Sequence, residues 1–290
     1  FSLPLPDNST WDLASAAGGV LEAGEKAARL RMQAFLDSGL ARYGAMRNLP
    51  AGRTTSRLSQ DLRFGLISIR ELHRATLDKM ETLDAAGRDS AATYVSELVW
   101  REFYMQVLWN FPAVLEEEFN VKYRGMVWPG KKENFQRWCD GETGFPIVDA
   151  AMRELRETGF MHNRTRMITA MFLTKDLHLD WRMGEMWFMQ TLADGEIASN
   201  NGGWQWSAGT GADAAPYFRI QNPWSQTKRF DPDGTYIKTW VPELHNVDVA
   251  KLMDPPAPGM RLAPGYPSPI VDHSAARDIT LDLFKVAAAR

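Results

Sequence analysis

From Leu21 onward, apolar or small residues at Leu21, Ala28, Phe35 and Leu36 are separated by charged ones, the spacing of a helix that buries one face. No later run alternates apolar and polar residues for long enough to predict a strand. Ser68-Ile-Arg-Glu71 has the form of a capping box before Leu72 and Leu77. A helix is expected from Tyr94 to Phe111, where Pro112 ends it, and another from about Asn163 to Leu177. Pro146 stands at a first helical position before Ile147, Val148, Ala151, Met152 and Leu155, and Gly159 closes that helix. From Ala193 to Trp224 glycines and prolines break the pattern, which predicts loops alternating with short helices. A Pro/Gly-rich stretch, Pro255 to Pro269, then precedes a last amphipathic helix at about Ser274 to Ala288.

Composition narrows the class. With 290 residues, 44% hydrophobic and 24% charged, the chain can build a sizeable core as one large or two modest domains. No apolar run reaches the ~18 residues of a membrane span, and FSLPLPDNST lacks the order of a signal peptide, so a cytoplasmic protein is expected. The Pro-rich start, Phe1 to Pro6, with the polar Asp7 to Thr10, reads as an interdomain linker. Residues 1–20 are therefore taken as linker and 21–290 as the domain, with a further domain upstream. One cysteine, Cys139, cannot form an internal disulfide framework or a Cys-based zinc site, and the five histidines have no ligand spacing, so no metal is expected. A net charge of −3 is unlike that of a general nucleic-acid coater, so any nucleic-acid contact must be a local patch. Eleven tryptophans raise the prospect of stacking surfaces.

Four groups of residues could carry chemistry. Thr54-Thr55-Ser56-Arg57-Leu58-Ser59 sets hydroxyls and a guanidinium ahead of Leu58, Leu62, Leu66 and Ile69, which suits a phosphate and equally suits an ordinary helix cap. Glu97, Trp100, Arg101 and Tyr104 share one helix face, able either to stack on a heterocycle or to form a surface ion pair beside a core indole. Asn163, Arg166 and Met167 share another face, where an amide and a guanidinium could meet a polar ring edge, or which is a solvated polar face with Met167 filling the core. Asp194-Gly-Glu196 with Asn200-Asn-Gly-Gly-Trp-Gln-Trp206 is the densest cluster; carboxylates can accept sugar hydroxyls or a ring N–H, and glycines let backbone approach a ring. Gly209-Thr-Gly211 is no dinucleotide fingerprint, which needs a preceding strand and a third glycine.

Trp100 to Tyr104 (WREFY), Thr143 to Leu155 (TGFPIVDAAMREL), Met161 to Met167 (MHNRTRM), Asp194 to Trp206 (DGEIASNNGGWQW) and Gly211 to Pro223 (GADAAPYFRIQNP) resemble the signature segments of the photolyase/cryptochrome flavoprotein domain, in order from about Ala23 to Val286. The resemblance implies an all-α, multi-helical domain holding a non-covalent, U-shaped FAD, the antenna α/β domain of relatives lying outside this chain. It implies that Tyr43 and the run Thr55, Ser56, Arg57, Leu58, Ser59 hold the phosphate part. Tyr94, Arg101, Asn163, Arg166, Asp194 and Glu196 would border the flavin, with Glu196 where many relatives carry aspartate. Asn200 matches the residue beside flavin N5, where asparagine accompanies repair and aspartate plant-type signalling; a neutral amide gives up a proton less readily than a carboxylic acid.

The resemblance also assigns Glu97, Trp100, Met167 and Trp206 to a flipped cyclobutane pyrimidine dimer, in the manner of class I enzymes. The (6-4) branch would have histidines at Asn163 and Met167, and the single-strand-selective branch usually has tyrosine at Trp206. Trp204, Trp181 and Trp128 match an electron relay, inner to outer, and Arg47, Arg164, Arg219 and Gln226 match DNA contacts. The implied activity is light-driven repair of dimer-containing DNA by a monomer, and the alternative is a blue-light photoreceptor.

Overall fold

Helices are the regular elements of the computed structural model, which describes residues 21–52, 54–212 and 219–289. The expected linker 1–20 and residues 213–218 of the Gly211–Pro223 segment lie outside the described residues. In chain order the helices are α1 (Glu25–Ala34), α2 (Tyr43–Met46), α3 (Ser59–Arg63), α4 (Ile69–Glu81), α5 (Ala85–Asn110), α6 (Glu133–Asp140), α7 (Pro146–Thr158), α8 (Asn163–Met171), α9 (Trp181–Thr191), α10 (Ile197–Ala208), α11 (Pro223–Phe230), α12 (Thr235–Trp240), α13 (Val249–Leu252) and α14 (His273–Ala288). No strand occurs among the described residues, in agreement with the all-α expectation. No helix among them is long and apolar enough to cross a membrane.

Where local chemistry is decisive, sequence and structure agree. Pro146 opens α7, whose missing N–H costs nothing there, and Gly159 ends it at φ 66°, a conformation other residues adopt with strain. Asp272 caps α14 by accepting from Ala275 N at 2.8 Å, so the helix starts at His273, one residue before the expected Ser274.

Four expectations need correction. Helix α5 begins at Ala85 rather than Tyr94, because Asp84 accepts from Gly87 N at 2.8 Å and caps a small-residue first turn. Ser68 is the N-cap of α4, but its hydroxyl makes no capping bond. The helical spacing from Leu58 to Ile69 is split: α3 is one short helix with Leu58 as N-cap, and Gly65 turns the chain at φ 68° before α4. The helix from Asn163 is α-helical to Met171 and then widens into a π-helical turn, Phe172–Asp176.

The largest departure is α10, a continuous twelve-residue helix through Asn200-Asn201-Gly202-Gly203, where loops and short helices were expected. A side chain on Gly202 would sit 2.0 Å from the Tyr104 ring of α5, so the glycine that weakens the helix is what lets α10 lie on α5. Helix α10 thereby joins two apolar cores. One gathers Met32, Phe35, Leu40, Leu58, Leu72 and Tyr94 from the first five helices and the turns between them. The other is built on Trp138, Phe145, Phe172, Trp181, Trp204 and Tyr236 from the later ones.

Candidate cofactor and nucleic-acid site

Between these two cores opens a cavity of ≈ 580 Å³, lined by residues of α2, the 55–59 segment, α5, α8 and α10. All four candidate groups meet there. Tyr43, Thr55, Ser56, Arg57, Leu58 and Ser59 form one wall; Tyr94, Glu97, Trp100, Arg101 and Tyr104 a second. Asn163, Arg164, Arg166 and Met167 project from the start of α8, and Asp194, Glu196, Asn200, Trp204 and Trp206 complete the enclosure.

The wall of hydroxyls is also the cationic one. Arg57 sits at φ 54°, a strained value for a residue with a side chain, and its guanidinium lies 3.6 Å from the Phe160 ring centroid. Burial raises the Tyr94 hydroxyl well above its ordinary range, opposed by a bond to Ser56. Burial likewise pushes Tyr43 up to about 12.

Beside that wall, Arg166 Nη2 donates to both oxygens of Asp194, at 3.0 and 2.8 Å, and its Nε donates to Met161 O at 2.8 Å. Burial alone would raise the Asp194 carboxyl, but the Arg166 charge and hydrogen bond, with Ser59, outweigh it and hold the group below the usual carboxylate value. Asp194 is thus a fixed anion at the cavity wall. Glu196 behaves differently: its two oxygens accept from Ala198 N at 3.0 Å and Ser199 N at 2.8 Å, so it lines the cavity chiefly as the N-cap of α10. The Asn200 amide donates to Glu185 O at 3.0 Å, which fixes its orientation toward the cavity.

Two features fit a flat heterocycle. The buried Nε1 of Trp204 has no hydrogen-bond partner among the described residues, although the indole lines the cavity. A side chain added at Gly203 would meet no atom of the described residues beyond its own helix backbone and chain neighbours within 4 Å, so backbone there leaves room for a ring to approach. With a guanidinium and hydroxyls for phosphates and a carboxylate–amide wall for a polar ring edge, the donor set suits a dinucleotide carrying an aromatic ring.

The rim carries the remaining charge. Arg47 pairs with Glu97, and Arg164 Nη2 donates to Asn48 Oδ1 at 2.7 Å while its guanidinium covers Phe230 at 4.4 Å. Trp100 remains 49% exposed, braced by Phe103 and Tyr104 at centroid distances of 5.3 and 5.9 Å. Arg219 is not among the cavity-lining residues and lies 5.0 Å over the Trp206 ring, and Gln226 lies on α11, also not lining the cavity. Trp181 and Trp128 do not line the cavity; Trp181 is buried in the larger core and Trp128 half-buried against it.

Sequence reasoning missed Phe160 and Asn48, which line the cavity. It also missed His162, which caps α8 through Nδ1 at 3.1 Å from Arg164 N. Phe160 and His162 lie within three residues of Asn163 in the chain, whereas Asn48 is marked only by its contact with Arg164 in the fold.

A family profile described as the FAD binding domain of DNA photolyase matches residues 94–286. The chain belongs to the photolyase/cryptochrome family of FAD-binding domains, and its cofactor is FAD. A deoxyribodipyrimidine photo-lyase of Halobacterium salinarum is 44% identical over 290 residues, covering 98% of this chain and 60% of the relative. That of Synechococcus sp. is 47% identical over 268 residues, covering 91% and 54%. A solved class III photolyase from Agrobacterium tumefaciens superposes with a TM-score of 0.89 at 37% identity, covering 98% of this chain and 62% of that one. A cryptochrome from Synechocystis sp. superposes at 0.85 with 31% identity, covering 98% and 61%. The chain therefore spans about 60% of the length of these relatives or less.

Proposed function

We propose that the chain is the catalytic part of a deoxyribodipyrimidine photolyase of class I type, a monomer acting in the cytoplasm on DNA that contains cyclobutane pyrimidine dimers. The observation that carries this reading is the half-exposed Trp100 at the mouth of a cavity whose far wall suits FAD, with Glu97, Met167 and Trp206 beside it. Relatives named as photolyases, at 41–47% identity, favour repair over photoreception, as does the neutral Asn200.

When bound and reduced, FAD supplies a light-excited electron donor. The chain's residues bind, orient and exclude water. Arg57 with Thr55, Ser56 and Ser59 would hold the phosphates; Asp194, fixed by Arg166, would accept from the polar ring edge, and Asn200 would present a neutral amide. Trp100 and Trp206 would receive the extruded pyrimidine pair, and Glu97, steadied by Arg47, would accept from the base edges. Arg164, Arg219 and Gln226 would contact the DNA backbone and so position the lesion without reading sequence. Trp204, Trp181 and Trp128 would carry electrons inward from the surface, and their change from buried to half-buried suits that direction.

Blue-light repair of a dimer-containing oligonucleotide by the FAD-loaded, prereduced chain tests the proposal. Repair above a dark control is expected; light-dependent chemistry at the cofactor with no loss of dimers would favour a photoreceptor.

A further inference from the structure

The three relay tryptophans differ in what their indole N–H groups meet. Nε1 of Trp204 and Nε1 of Trp128 are buried with no hydrogen-bond partner among the described residues. Nε1 of Trp181 instead donates to Glu118 Oε1 at 3.3 Å, and Glu118 is a carboxylate only 3% exposed. The same oxygen takes an ion pair from Arg182 Nη2 at 3.2 Å. Arg182 is also bonded to Asp180 at 3.1 Å, and its guanidinium lies 4.5 Å over the Trp181 ring. The middle indole therefore has a cation on its face and an anion on its N–H. Helix α9 carries Trp181 and, one turn on, Gly184, against which the Trp204 ring packs.

We infer that Glu118 is a positioning residue for electron transfer: its charge and its bond to the indole N–H lower the cost of oxidising Trp181, which the guanidinium over the ring raises. This rests on the relay assignment under the proposed function. An electron passes from the Trp181 ring to electron-deficient Trp204, and Trp128 then refills Trp181. The first oxidant is light-excited oxidised FAD, and the electron finally replaced at Trp128 comes from an external thiol. No bond breaks: the Nε1 proton of Trp181 stays on nitrogen, held toward the carboxylate while the ring is positive. A guanidinium over the ring opposes that positive charge, and Glu118 with Asp180 offsets it; two charges of opposite sign a few ångströms from one indole interact strongly in a poorly screened interior. The carboxylate thus keeps the middle step from becoming a barrier.

The test uses the full chain loaded with oxidised FAD. Glu118→Gln retains an acceptor oxygen and nearly the same volume and removes only the charge. It should cut the fraction of laser flashes that leave a long-lived oxidised tryptophan, and the rate of blue-light photoreduction with a thiol, by at least about tenfold, because one unit charge a few ångströms from the ring in a poorly screened interior changes the equilibrium between oxidised rings by more than that factor. Arg182→Gln removes the cation and should raise the same yield. A merely structural role predicts losses in both variants, with lower melting temperatures and less bound FAD. Wild-type yields in Glu118→Gln, or a fall in Arg182→Gln with folding intact, overturn the inference. If Glu118→Gln does not fold, the sign of the Arg182→Gln effect decides. Trp181→Phe separates this from failure of the relay itself: photoreduction at the wild-type rate there sinks the relay, whereas a dead Trp181→Phe beside an unaffected Glu118→Gln sinks only the role of Glu118.

Discussion

Trp100→Ala separates a lesion platform from an ordinary core indole. Trp100 is 49% exposed, and its ring contacts are Phe103 edge-on at 5.3 Å and Tyr104 tilted at 5.9 Å. A buried tryptophan cut to alanine costs about 3–5 kcal/mol. Half that surface already faces water, and an aromatic pair contributes roughly 0.5–1.5 kcal/mol beyond area, so folding stability should fall by only about 1–2 kcal/mol. One base–aromatic stack contributes roughly 1–3 kcal/mol, so affinity for a dimer-containing duplex should drop about 5- to 150-fold. Affinity for undamaged DNA should barely change, because phosphate contacts supply it. Arg219→Ala should show the opposite profile, weakening both DNAs and reducing the salt slope by about one unit. Melting temperature, flavin content and both dissociation constants, measured on the same samples, decide the matter. An unchanged damaged-to-undamaged ratio in a stable, FAD-loaded Trp100→Ala refutes the platform, as does a core-sized stability loss with loss of FAD.

Further outcomes follow from single positions. Gly203→Ala meets no atom of the described residues beyond its own helix backbone and chain neighbours within 4 Å and should keep or gain about 0.5–1 kcal/mol of stability while lowering FAD affinity about tenfold, whereas Gly202→Ala, 2.0 Å from the Tyr104 ring, should lower the melting temperature first. Trp204→Phe should retain FAD yet photoreduce it at less than about a tenth of the normal rate, since phenylalanine preserves packing and resists oxidation; a normal rate would remove Trp204 from the relay. His162 is lowered from 6.5 to about 4 by burial and then by Arg166, Arg164 and Arg57. Because the unfolded chain takes up this proton first, its contribution of about 3 kcal/mol is complete above pH 6.5 and is lost as pH falls toward 4. His162→Asn, which can still cap α8, should flatten that part of the stability–pH curve in urea titrations, and an unchanged slope would show that the imidazole is not the group responsible.

Much of the site was legible because its residues cluster along the chain at helical spacing. Glu97, Trp100, Arg101 and Tyr104 were expected on one face, as were Asn163, Arg166 and Met167, and both faces line the cavity. Helix ends were legible where one residue's chemistry decides them, as at Pro146 and Gly159. Family resemblance, rather than spacing, suggested the relay and DNA-contact assignments, because tryptophans as far apart as Trp128 and Trp204 carry no local pattern. The sequence by itself thus determined an all-helical chain, its main polar faces and its motif family. Tertiary structure decided the rest. Gly202 reads as a helix breaker until the Tyr104 ring shows what its missing side chain makes room for. That Glu196 caps α10 with both oxygens is seen only in the fold. Glu118 has no signal in its own segment, yet it meets Trp181 across 63 residues. Local propensity and periodicity depend on neighbours within a turn or two, whereas close approach and burial of charge depend on chain segments that only the packed fold brings together.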